Sequence, residues 1–576
     1  MNRLYQKLPF FMELVFNGLF ILLYSLNQTK QMSFSLISQE TFMQVLKIMS
    51  FGAPIFVLVS IISFYKRSHS LDDFFRKYIF SLIVFVPMLM TVGDIQFAFW
   101  LSAVHLFSSL LSLYDSQSVQ QSDFIGQAIN PIEKIKLAPA QIVILSFSAI
   151  IVIGTVLLSL PISAAEGKSI SLIDAFFTAT SATCVTGLST LSLADNFSFI
   201  GQLIVLILLQ IGGLGYMTLH SSMMILLGKS FKIKNKILMQ DLLDISSVSD
   251  LISMIINIIR YTLIIELCGA VVLSIAFSFE GYEIGESIYY GFFHSISAFC
   301  NAGFSLFNNS LEGFATNPFI SITISTLIIL GGLGFIVLKE LELVFMRKKK
   351  FVNLSVHSKV VISTSFVITA LVGLYIFFTE YLHAFTGYSL FDQFQLAFFQ
   401  SVTTRTAGFN TISLNALYPH TLYLICLIMF IGASPGSTGG GIKTTTFAIL
   451  FQSVKATLRG KDKVEFFDRL VPNHIVVRAI AIIVISLILV SFFILLMMRI
   501  EPEHDFLALF FEVVSAFATV GLSLGITPYL TGVGKVVIIL LMFVGRIGPL
   551  TLALAVGKTK SQDAQVEYPT GRLLIG

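Results

Sequence analysis

The sequence predicts an all-α polytopic membrane protein with four pseudo-symmetric helix–pore-loop–helix repeats and an N-terminal helical block. Only 12% of the 576 residues are charged and the mean hydropathy is +0.88, whereas about a quarter of the residues in a soluble domain are charged. Apolar runs of about 17 to 25 residues recur along the chain, and each can cross about 30 Å of hydrocarbon as a helix. Similar glycine-containing loops also recur at regular intervals.

Four glycines mark the repeats. Gly187, Gly303, Gly408 and Gly521 lie in the segments CVTGLST, CNAGFSL, TRTAGFN and ATVGLSL, and they are 116, 105 and 113 residues apart. A second glycine-bearing segment follows each of them: IGGLGYMTL, LGGLGFIVL, IGASPGSTGGGIKTTT and VGRIGPLTL. A spacing this regular indicates internal repeats. Each repeat is therefore expected to contain an outgoing helix, a short segment, a polar loop and a returning helix.

The apolar runs between these landmarks predict the long helices. Outgoing helices are expected at about 139–161, 252–279, 356–382 and 474–500. Returning helices are expected at about 198–227, 316–345, 419–452 and 530–556.

The short segments before the loops are predicted to be re-entrant half-helices, because they are too short to span a bilayer. They lie at 172–183, 286–299, 391–403 and 505–517. Each begins near an acid, which suits the positive end of the helix dipole, and each ends near a serine. The acids are Asp174, Glu286, Asp392 and Asp505, and the serines are Ser181, Ser297, Ser401 and Ser515.

Each half-helix leads into a short extended stretch that ends in glycine. Non-helical backbone at membrane depth is tolerated where it is buried in protein or lines a water-filled path. Inward carbonyls on such stretches can replace the hydration shell of a monovalent cation, and glycine allows the alternate-handed backbone angles that this requires. We therefore predict a four-part ion selectivity filter. Its candidate residues are Val185, Thr186, Gly187, Asn301, Ala302, Gly303, Thr406, Ala407, Gly408, Thr519, Val520 and Gly521.

With these residues in view, the sequence resembles the Trk/Ktr/HKT superfamily of potassium transporters. The resemblance covers about residues 138–560 and rests on VTGL, NAGF, RTAGFN, TVGL, GASPGSTGGGIKTTT and GRIGPLT. It implies potassium uptake through four channel-like repeats in the cytoplasmic membrane, a homodimer, and a cytoplasmic nucleotide-binding regulatory subunit. Potassium is then the transported ion, with no covalently bound cofactor and no nucleic-acid partner. Plant relatives that favour sodium typically have serine in the first loop, so Gly187 indicates potassium.

A break is predicted in the third returning helix, at residues 433–446, because Pro435 and four glycines cannot remain helical. The matching stretch of the family is an intramembrane loop that obstructs the path below the filter, so the resemblance implies a gate here. The candidate gate residues are Ala433, Ser434, Pro435, Gly436, Ser437, Thr438, Gly439, Gly440, Gly441, Ile442, Lys443 and Thr444.

Arg546 lies within the fourth returning helix, where a charge that faces lipid costs at least about 2.5 kcal/mol. It is therefore predicted to face the pore axis or an acidic partner, with snorkelling to an interface as the alternative. The family's matching arginine lies near the cavity under the filter, which implies that Arg546 repels cations and slows permeation. Lys443 and Arg405 are weaker candidates, and Arg405 would pair with an acid such as Glu512. In the third loop the serine precedes the glycine by seven residues instead of six, which leaves the register open by one residue.

The loop charges predict the topology. Basic loops at 228–240, 339–360 and 453–478 are placed in the cytoplasm, and acidic loops at 162–172, 280–287, 380–392 and 501–506 outside. The loop at 453–470 is expected to lie on the membrane surface or to dock a cytoplasmic regulator. The predicted divisions are 1–137 (about four helices, near 9–27, 42–65, 78–93 and 95–114), 138–240, 241–352, 353–470 and 471–560 for the four repeats, and a cytoplasmic tail at 561–576.

A transporter or channel is favoured over an enzyme, since the sequence contains no Walker loop, metal-ligand pattern or catalytic constellation. The energy would come from the membrane potential, worth about 2.3 kcal/mol per charge at 100 mV, or from a coupled ion gradient. Two alternatives stay open. A proton- or sodium-coupled symporter would need an intramembrane acid, for which Glu266 is the outgoing-helix candidate. A less selective potassium and sodium pathway is the other.

Overall fold

The computed structural model describes residues 12, 15–21, 23–24, 39–65, 102, 139–215, 250–346, 350–461 and 463–549. The chain divides into two compact units, residues 1–136 with 160–162, and residues 137–159 with 163–576. Several predicted features lie outside the described residues. They are the helices at 78–93 and, but for one residue, 95–114, the basic loop at 228–240, and the tail at 561–576.

The first unit contains helix α1 (Gln39–Tyr65), which confirms the helix predicted at 42–65. Pro54 lies within it. Phe20, Tyr24, Leu46 and Met49 are buried together, so α1 packs against the helical residues that precede it in the chain.

The second unit contains the four predicted repeats. Repeat 1 has α2 (Pro139–Ser159), α3 (Leu172–Thr183), the short α4 (Leu193–Asn196) and α5 (Phe199–Leu214). Repeat 2 has α6 (Asp250–Phe279), α7 (Ile284–Phe299), α8 (Pro318–Leu333) and α9 (Phe335–Phe345). Repeat 3 has α10 (Val356–Glu380), α11 (Leu390–Thr403), α12 (Pro419–Met429) and α13 (Thr444–Leu458). A hairpin follows, with β1 (Glu465–Phe466) and β2 (Arg469–Leu470). Repeat 4 has α14 (Asn473–Ile500), α15 (Phe506–Ala518) and α16 (Gly532–Ile547).

Four of the described helices are long and apolar enough to cross a membrane: Thr41–Val59 within α1, Asn257–Phe279 within α6, and the whole of α10 and α14. The bent pair α8 and α9 would make a fifth span. The outgoing helices and half-helices thus lie close to the predicted positions.

Serine and acid side chains fix the starts of the half-helices. Ser171 and Ser389 accept hydrogen bonds from the backbone N–H of Asp174 (3.1 Å) and Asp392 (3.2 Å), and their hydroxyls donate to the carboxylates of the same acids. Asp505 caps α15 directly, by accepting from the N–H of Leu507 (3.0 Å). These caps satisfy backbone donors that the first helical turn leaves unpaired. In α7 no side chain caps the helix.

The repeats form a closed ring. Each returning helix packs against the half-helix of the next repeat: α5 on α7, α8 on α11, α12 on α15, and α16 on α3. The last of these contacts joins repeat 4 to repeat 1. It includes an ion pair of 2.8 Å between Lys535 and Asp174, both of which are mostly buried. All four half-helices therefore surround a common centre.

Three returning helices pack on their own half-helix through glycine. A Cβ atom at Gly212, Gly331 or Gly545 would lie closer than 3.0 Å to a backbone oxygen at the end of α3, α7 or α15. The oxygens belong to Thr183, Phe299 and Phe517. The second glycine-bearing segment therefore lets each of these helices support the loop of its own repeat.

The prediction of one continuous helix at 316–345 is wrong. Gly334 has a φ of 93° and separates α8 from α9, which meet at 110°. Gly215 (φ 74°) ends α5 and Gly548 (φ 89°) ends α16 at the matching positions. A residue in the left-handed region cannot continue a right-handed helix, and glycine adopts that region without a Cβ clash.

Candidate functional site

The predicted filter residues lie together at the centre of the ring of half-helices. In each loop the residue two before the glycine is fully buried and has a positive φ: Val185 56°, Asn301 58°, Thr406 72° and Thr519 52°. The glycines have φ values of 96°, 70°, 78° and 93°. Three of the four non-glycine residues are β-branched, for which this backbone region is a true outlier. Strain of this kind concentrates at functional sites.

The alternation of backbone angles decides where the carbonyls point. A regular extended strand turns successive carbonyls to opposite sides. Left-handed residues at the first and third positions of each loop, with one residue of negative φ between them, break that alternation. Carbonyls aimed inward from four buried stretches around one centre can replace the hydration shell of a monovalent cation.

The four glycines touch one another's loops in a closed order, and we refer to them as the glycine ring. A Cβ at each glycine would lie closer than 3.0 Å to the carbonyl oxygen of the middle residue in a neighbouring loop. The pairs are Gly187 with Ala302, Gly303 with Ala407, Gly408 with Val520, and Gly521 with Thr186. Because every neighbour is backbone, the ring has no room for a side chain.

Hydroxyl groups hold each loop to its half-helix. Ser181 accepts from the N–H of Gly187 and Ser515 from the N–H of Gly521, both at 3.1 Å. Ser297 donates to the carbonyl of Phe304 at 2.7 Å. In the third loop the residue that makes this bond is not the serine noted in the sequence.

In the third loop Thr403, not Ser401, holds the loop. Thr403 donates to the carbonyl of Phe409 at 2.6 Å, the counterpart of the bond that Ser297 makes. Ser401 donates instead to the carbonyl of Thr369 on α10, at 2.7 Å. The extra residue between Ser401 and Gly408 is therefore absorbed at the end of α11. Sequence reasoning missed Thr403. It lies six residues before Phe409, whereas Ser297 lies seven residues before Phe304.

Segments of repeat 2 also bind the third loop. Asn410 donates its amide to Glu312 (2.7 Å), and its N–H donates to the hydroxyl of Ser310 (3.2 Å). The carbonyl of Asn410 accepts from the N–H of Leu311 at 3.0 Å. Burial raises the pKa of Glu312, although the hydrogen bond from Asn410 acts in the opposite direction.

Residues 433–444, called here the intramembrane loop, interrupt the third returning helix as predicted. The break runs over 430–443 instead of 433–446, because α12 ends at Met429 and α13 begins at Thr444. The loop folds back on itself: the N–H of Gly432 donates to the carbonyl of Ile442 at 2.8 Å, and the hydroxyl of Thr444 donates to that of Ser434 at 3.0 Å. The side chain of Lys443 donates to the carbonyl of Gly439 at 2.8 Å.

The intramembrane loop lies directly against the glycine-ring loops. A Cβ at Gly439 would meet the hydroxyl of Thr406, and a Cβ at Gly440 would meet that of Thr519, both closer than 3.0 Å. Thr406 and Thr519 are the left-handed residues of the third and fourth loops. Small residues in the intramembrane loop thus allow the closest approach to the base of the loops.

Repeat 2 binds the other side of the intramembrane loop. Ser434 and Thr438 donate their N–H groups to the carbonyls of Gly332 (3.1 Å) and Gly331 (3.2 Å). The hydroxyl of Thr438 donates to the carbonyl of Phe299 at 3.0 Å, at the end of α7. The bend at Gly334 leaves these α8 carbonyls accessible to the loop.

Arg546 joins the intramembrane loop to repeat 1. Its guanidinium donates to the carbonyl of Thr438 at 2.5 Å and to the carbonyl of Gly212 on α5. Within the described residues Arg546 has no ion pair with an acid, so its charge is held by backbone carbonyls. The loop therefore connects with all four repeats, and Arg546 makes the connection to the first.

The other candidate charges have different partners from those expected. Arg405 binds α10, and Glu512 accepts from Ser523 (2.7 Å) and Thr527, so the expected pair of Arg405 and Glu512 is wrong. Glu266 is buried and accepts from the side chain of Gln210 at 3.2 Å.

Comparisons with known proteins agree with this architecture. Residues 132–568 match the family model TrkH, described as a cation transport protein. The chain is 38% identical over 447 residues to Ktr system potassium uptake protein B of Bacillus subtilis, covering 77% of this chain and 98% of that protein. It is 37% identical over 454 residues to potassium/sodium uptake protein NtpJ of Enterococcus hirae, with the same coverage.

A solved structure shares the fold. The structure of the potassium transporter TrkH from Vibrio parahaemolyticus superposes with a TM-score of 0.61, covering 90% of this chain and 99% of that one at 19% identity. The family match covers well over half of the chain and the relatives align over nearly their whole length. The chain belongs to the TrkH family of cation transport proteins, as a membrane subunit of the Trk/Ktr type.

Proposed function

We propose that this chain takes up potassium across the cytoplasmic membrane, with the glycine ring and its loops as the selectivity filter. The observation that carries the proposal is the closed ring of four buried loops, each with left-handed residues on both sides of one middle residue. Such backbone can surround a dehydrated cation with carbonyl oxygens from four sides. Relatives named as potassium uptake proteins support potassium as the ion.

The intramembrane loop is the gate in this proposal. It lies against Thr406 and Thr519 at the base of the filter, so a cation that leaves the filter meets it next. Hydrogen bonds to α7, α8 and Arg546 hold it there. Conduction then requires the loop to leave this position, and the charge of Arg546 opposes the passage of cations beneath the filter.

The proposal includes partners. Two relatives are named as parts of a Ktr system, which supports a separate cytoplasmic subunit that regulates this one. By the resemblance, that subunit binds nucleotide and the membrane subunit is a homodimer. The basic segment at 453–470, which comprises the end of α13 and the exposed hairpin of β1 and β2, is the candidate contact surface on the cytoplasmic side.

A less selective potassium and sodium pathway is the second candidate. It is favoured by the name of the Enterococcus relative, a potassium/sodium uptake protein. That relative is about as similar to this chain as the Bacillus relative named a potassium uptake protein. Coupling to protons or sodium is a further alternative, with buried Glu266 as the acid it would need.

Rubidium uptake by the purified protein in liposomes tests the proposal. The liposomes carry a negative-inside potential and no proton or sodium gradient, with protein-free liposomes as the control. Uptake that potassium inhibits and sodium does not is expected. Equal inhibition by sodium would favour the mixed pathway, and uptake only after a proton or sodium gradient is imposed would favour coupling. Absence of cation uptake under every gradient, with or without a regulatory subunit, would contradict the proposal.

A further inference from the structure

The third loop carries a partly buried arginine where the other loops carry small residues. Arg405 lies three residues before Gly408, and the corresponding residues are Cys184, Cys300 and Ala518. All three of these are completely buried or nearly so. A charged side chain at this depth is costly unless it is bound, so its contacts decide what it does.

The guanidinium of Arg405 points away from the glycine ring, to the outgoing helix α10. It donates to the carbonyl (3.3 Å) and the hydroxyl (3.0 Å) of Ser365, and to the hydroxyl of Thr369 at 3.5 Å. Among the described residues Arg405 has no acidic partner. The planar fork of arginine suits a site that needs several donors in fixed directions.

Another hydrogen bond joins α11, the half-helix that precedes the third loop, to α10. The hydroxyl of Ser401 donates to the carbonyl of Thr369 at 2.7 Å. The third loop is thus tied outward at Ser401 and at Arg405. In the first and fourth loops, by contrast, the matching serine binds the N–H of the loop glycine itself.

The returning helix explains why the third loop needs this support. In repeats 1, 2 and 4 a glycine of the returning helix packs on the end of the half-helix. In repeat 3, α12 ends at Met429, and the corresponding Gly432 packs against the carbonyl of Gly440 in the intramembrane loop. The third loop therefore lacks the fixed helix that lies behind the others, and its neighbour is the segment proposed to move.

We infer that Arg405 is a positioning residue that anchors the third loop to α10 in place of the missing helix support. It keeps Thr406, Ala407 and Gly408 in the geometry of the ring when the intramembrane loop leaves Thr406. The inference rests on the proposed function, because it assigns Arg405 to cation selectivity and not to the rate of conduction.

The ratio of rubidium to sodium uptake in liposomes tests this role. We expect R405Q to lower the ratio about tenfold, because it replaces charge-assisted hydrogen bonds to α10 by weaker neutral ones, while the rubidium uptake rate changes less. R405K keeps the charge with fewer directed donors and is expected to restore part of the ratio. R499Q removes an exposed arginine at the end of α14 and serves as the matched control with an unchanged ratio.

S365A tests the same inference if R405Q does not fold. It removes one acceptor and leaves the carbonyl of residue 365, so it is expected to lower the ratio a few-fold, with a monodisperse profile in size-exclusion chromatography. An unchanged ratio in folded R405Q, or in folded S365A where R405Q fails to fold, would overturn the inference and leave the filter proposal intact. Absence of any rubidium preference in the wild type would instead contradict the proposed function itself.

Discussion

The four loops of the glycine ring are nearly equivalent, whereas the four segments directly beneath them are not. Each loop places one middle residue between two left-handed residues. Beneath the ring, α5 and α16 end at glycines of positive φ, α8 bends by 110° at another, and α12 continues as the intramembrane loop. Coordination of a cation from four sides requires equivalent carbonyls, whereas obstruction requires only one segment that can leave.

The ends of α5 and α16, the bend after α8 and the intramembrane loop all lie near the same position of their repeats. Gly215, Gly334 and Gly548 each lie three residues after the glycine that packs on the half-helix. Pro435 lies three residues after Gly432 in repeat 3. Three returning helices therefore end at an equivalent glycine, whereas α12 already ends at Met429, six residues before Pro435. In three repeats the stop is a single glycine, and in the third it is extended into the loop that we propose as the gate.

The largest effect is expected from a side chain in the glycine ring. G521A would place a Cβ closer than 3.0 Å to the carbonyl of Thr186, so the first and fourth loops must separate. We expect rubidium uptake to fall by a factor of about 100 or more, or its preference over sodium to be lost, because close backbone packing has no room for the methyl group. Uptake into liposomes measures both.

G525A is the matched control for this variant. Gly525 has nearly the same φ as Gly521, 89° against 93°, but a Cβ there would meet nothing within 4 Å. The two alanines therefore share an unfavourable positive φ and differ in the contact with the ring. Equal loss of uptake in both variants would show that strain, and not the closed ring, accounts for the effect.

The next largest effect is expected beneath the ring, from R546Q. This change removes the charge under the glycine ring and weakens the bonds to the carbonyls of Thr438 and Gly212. We expect the rubidium uptake rate to rise about tenfold, in line with the loss of a charge-assisted hydrogen bond, while the preference over sodium is kept. R499Q is again the control for net charge. A lower rate with lost selectivity would mean that Arg546 supports the filter instead of the gate.

The supporting layer between these two regions is tested by G331A. A Cβ at Gly331 would lie closer than 3.0 Å to the carbonyl of Phe299, whereas a Cβ at Gly332 would be 3.4 Å from its nearest neighbour, the side chain of Asn301. We expect G331A to lower the free energy of unfolding by about 1–3 kcal/mol through overpacking. G332A is expected to change it little. Thermal unfolding in detergent compares the two, and equal melting temperatures would contradict this account of the glycine.

The sequence predicted the ring better than the layer beneath it, for physical reasons. The spacing of four glycines indicated the repeats, and the polar loops between apolar runs indicated re-entrant segments. The left-handed angles at Val185, Thr406 and Thr519 could not be predicted, because β-branched residues avoid that region unless the surrounding fold imposes it. Asn301, which tolerates the region better, gave no separate signal.

The errors lie where one sequence pattern has two readings. LGGLG is compatible with close helix packing, and Gly331 does pack that way, but Gly334 in the same pattern bends the chain. In the third loop Ser401 was noted at the end of the half-helix, with the register left open by one residue, and the bond made by Thr403 was missed. The assignment of filter and gate, the division boundaries, and the N-terminal helices outside the described residues stay predictions.

The smallest effect is expected from Glu312, which binds the third loop through Asn410. Burial raises the pKa of Glu312 above its ordinary 4.5. A carboxyl whose pKa is raised by folding contributes stability below the unfolded pKa and loses that contribution as the pH rises through the folded one. We expect the melting temperature of the wild type to fall slightly relative to E312Q as the pH increases above 4.5. The glutamine keeps an acceptor for Asn410 but does not titrate. A difference in melting temperature between the two proteins that stays constant with pH would therefore contradict this assignment. The regions sensitive to substitution would then be the ring and the layer beneath it.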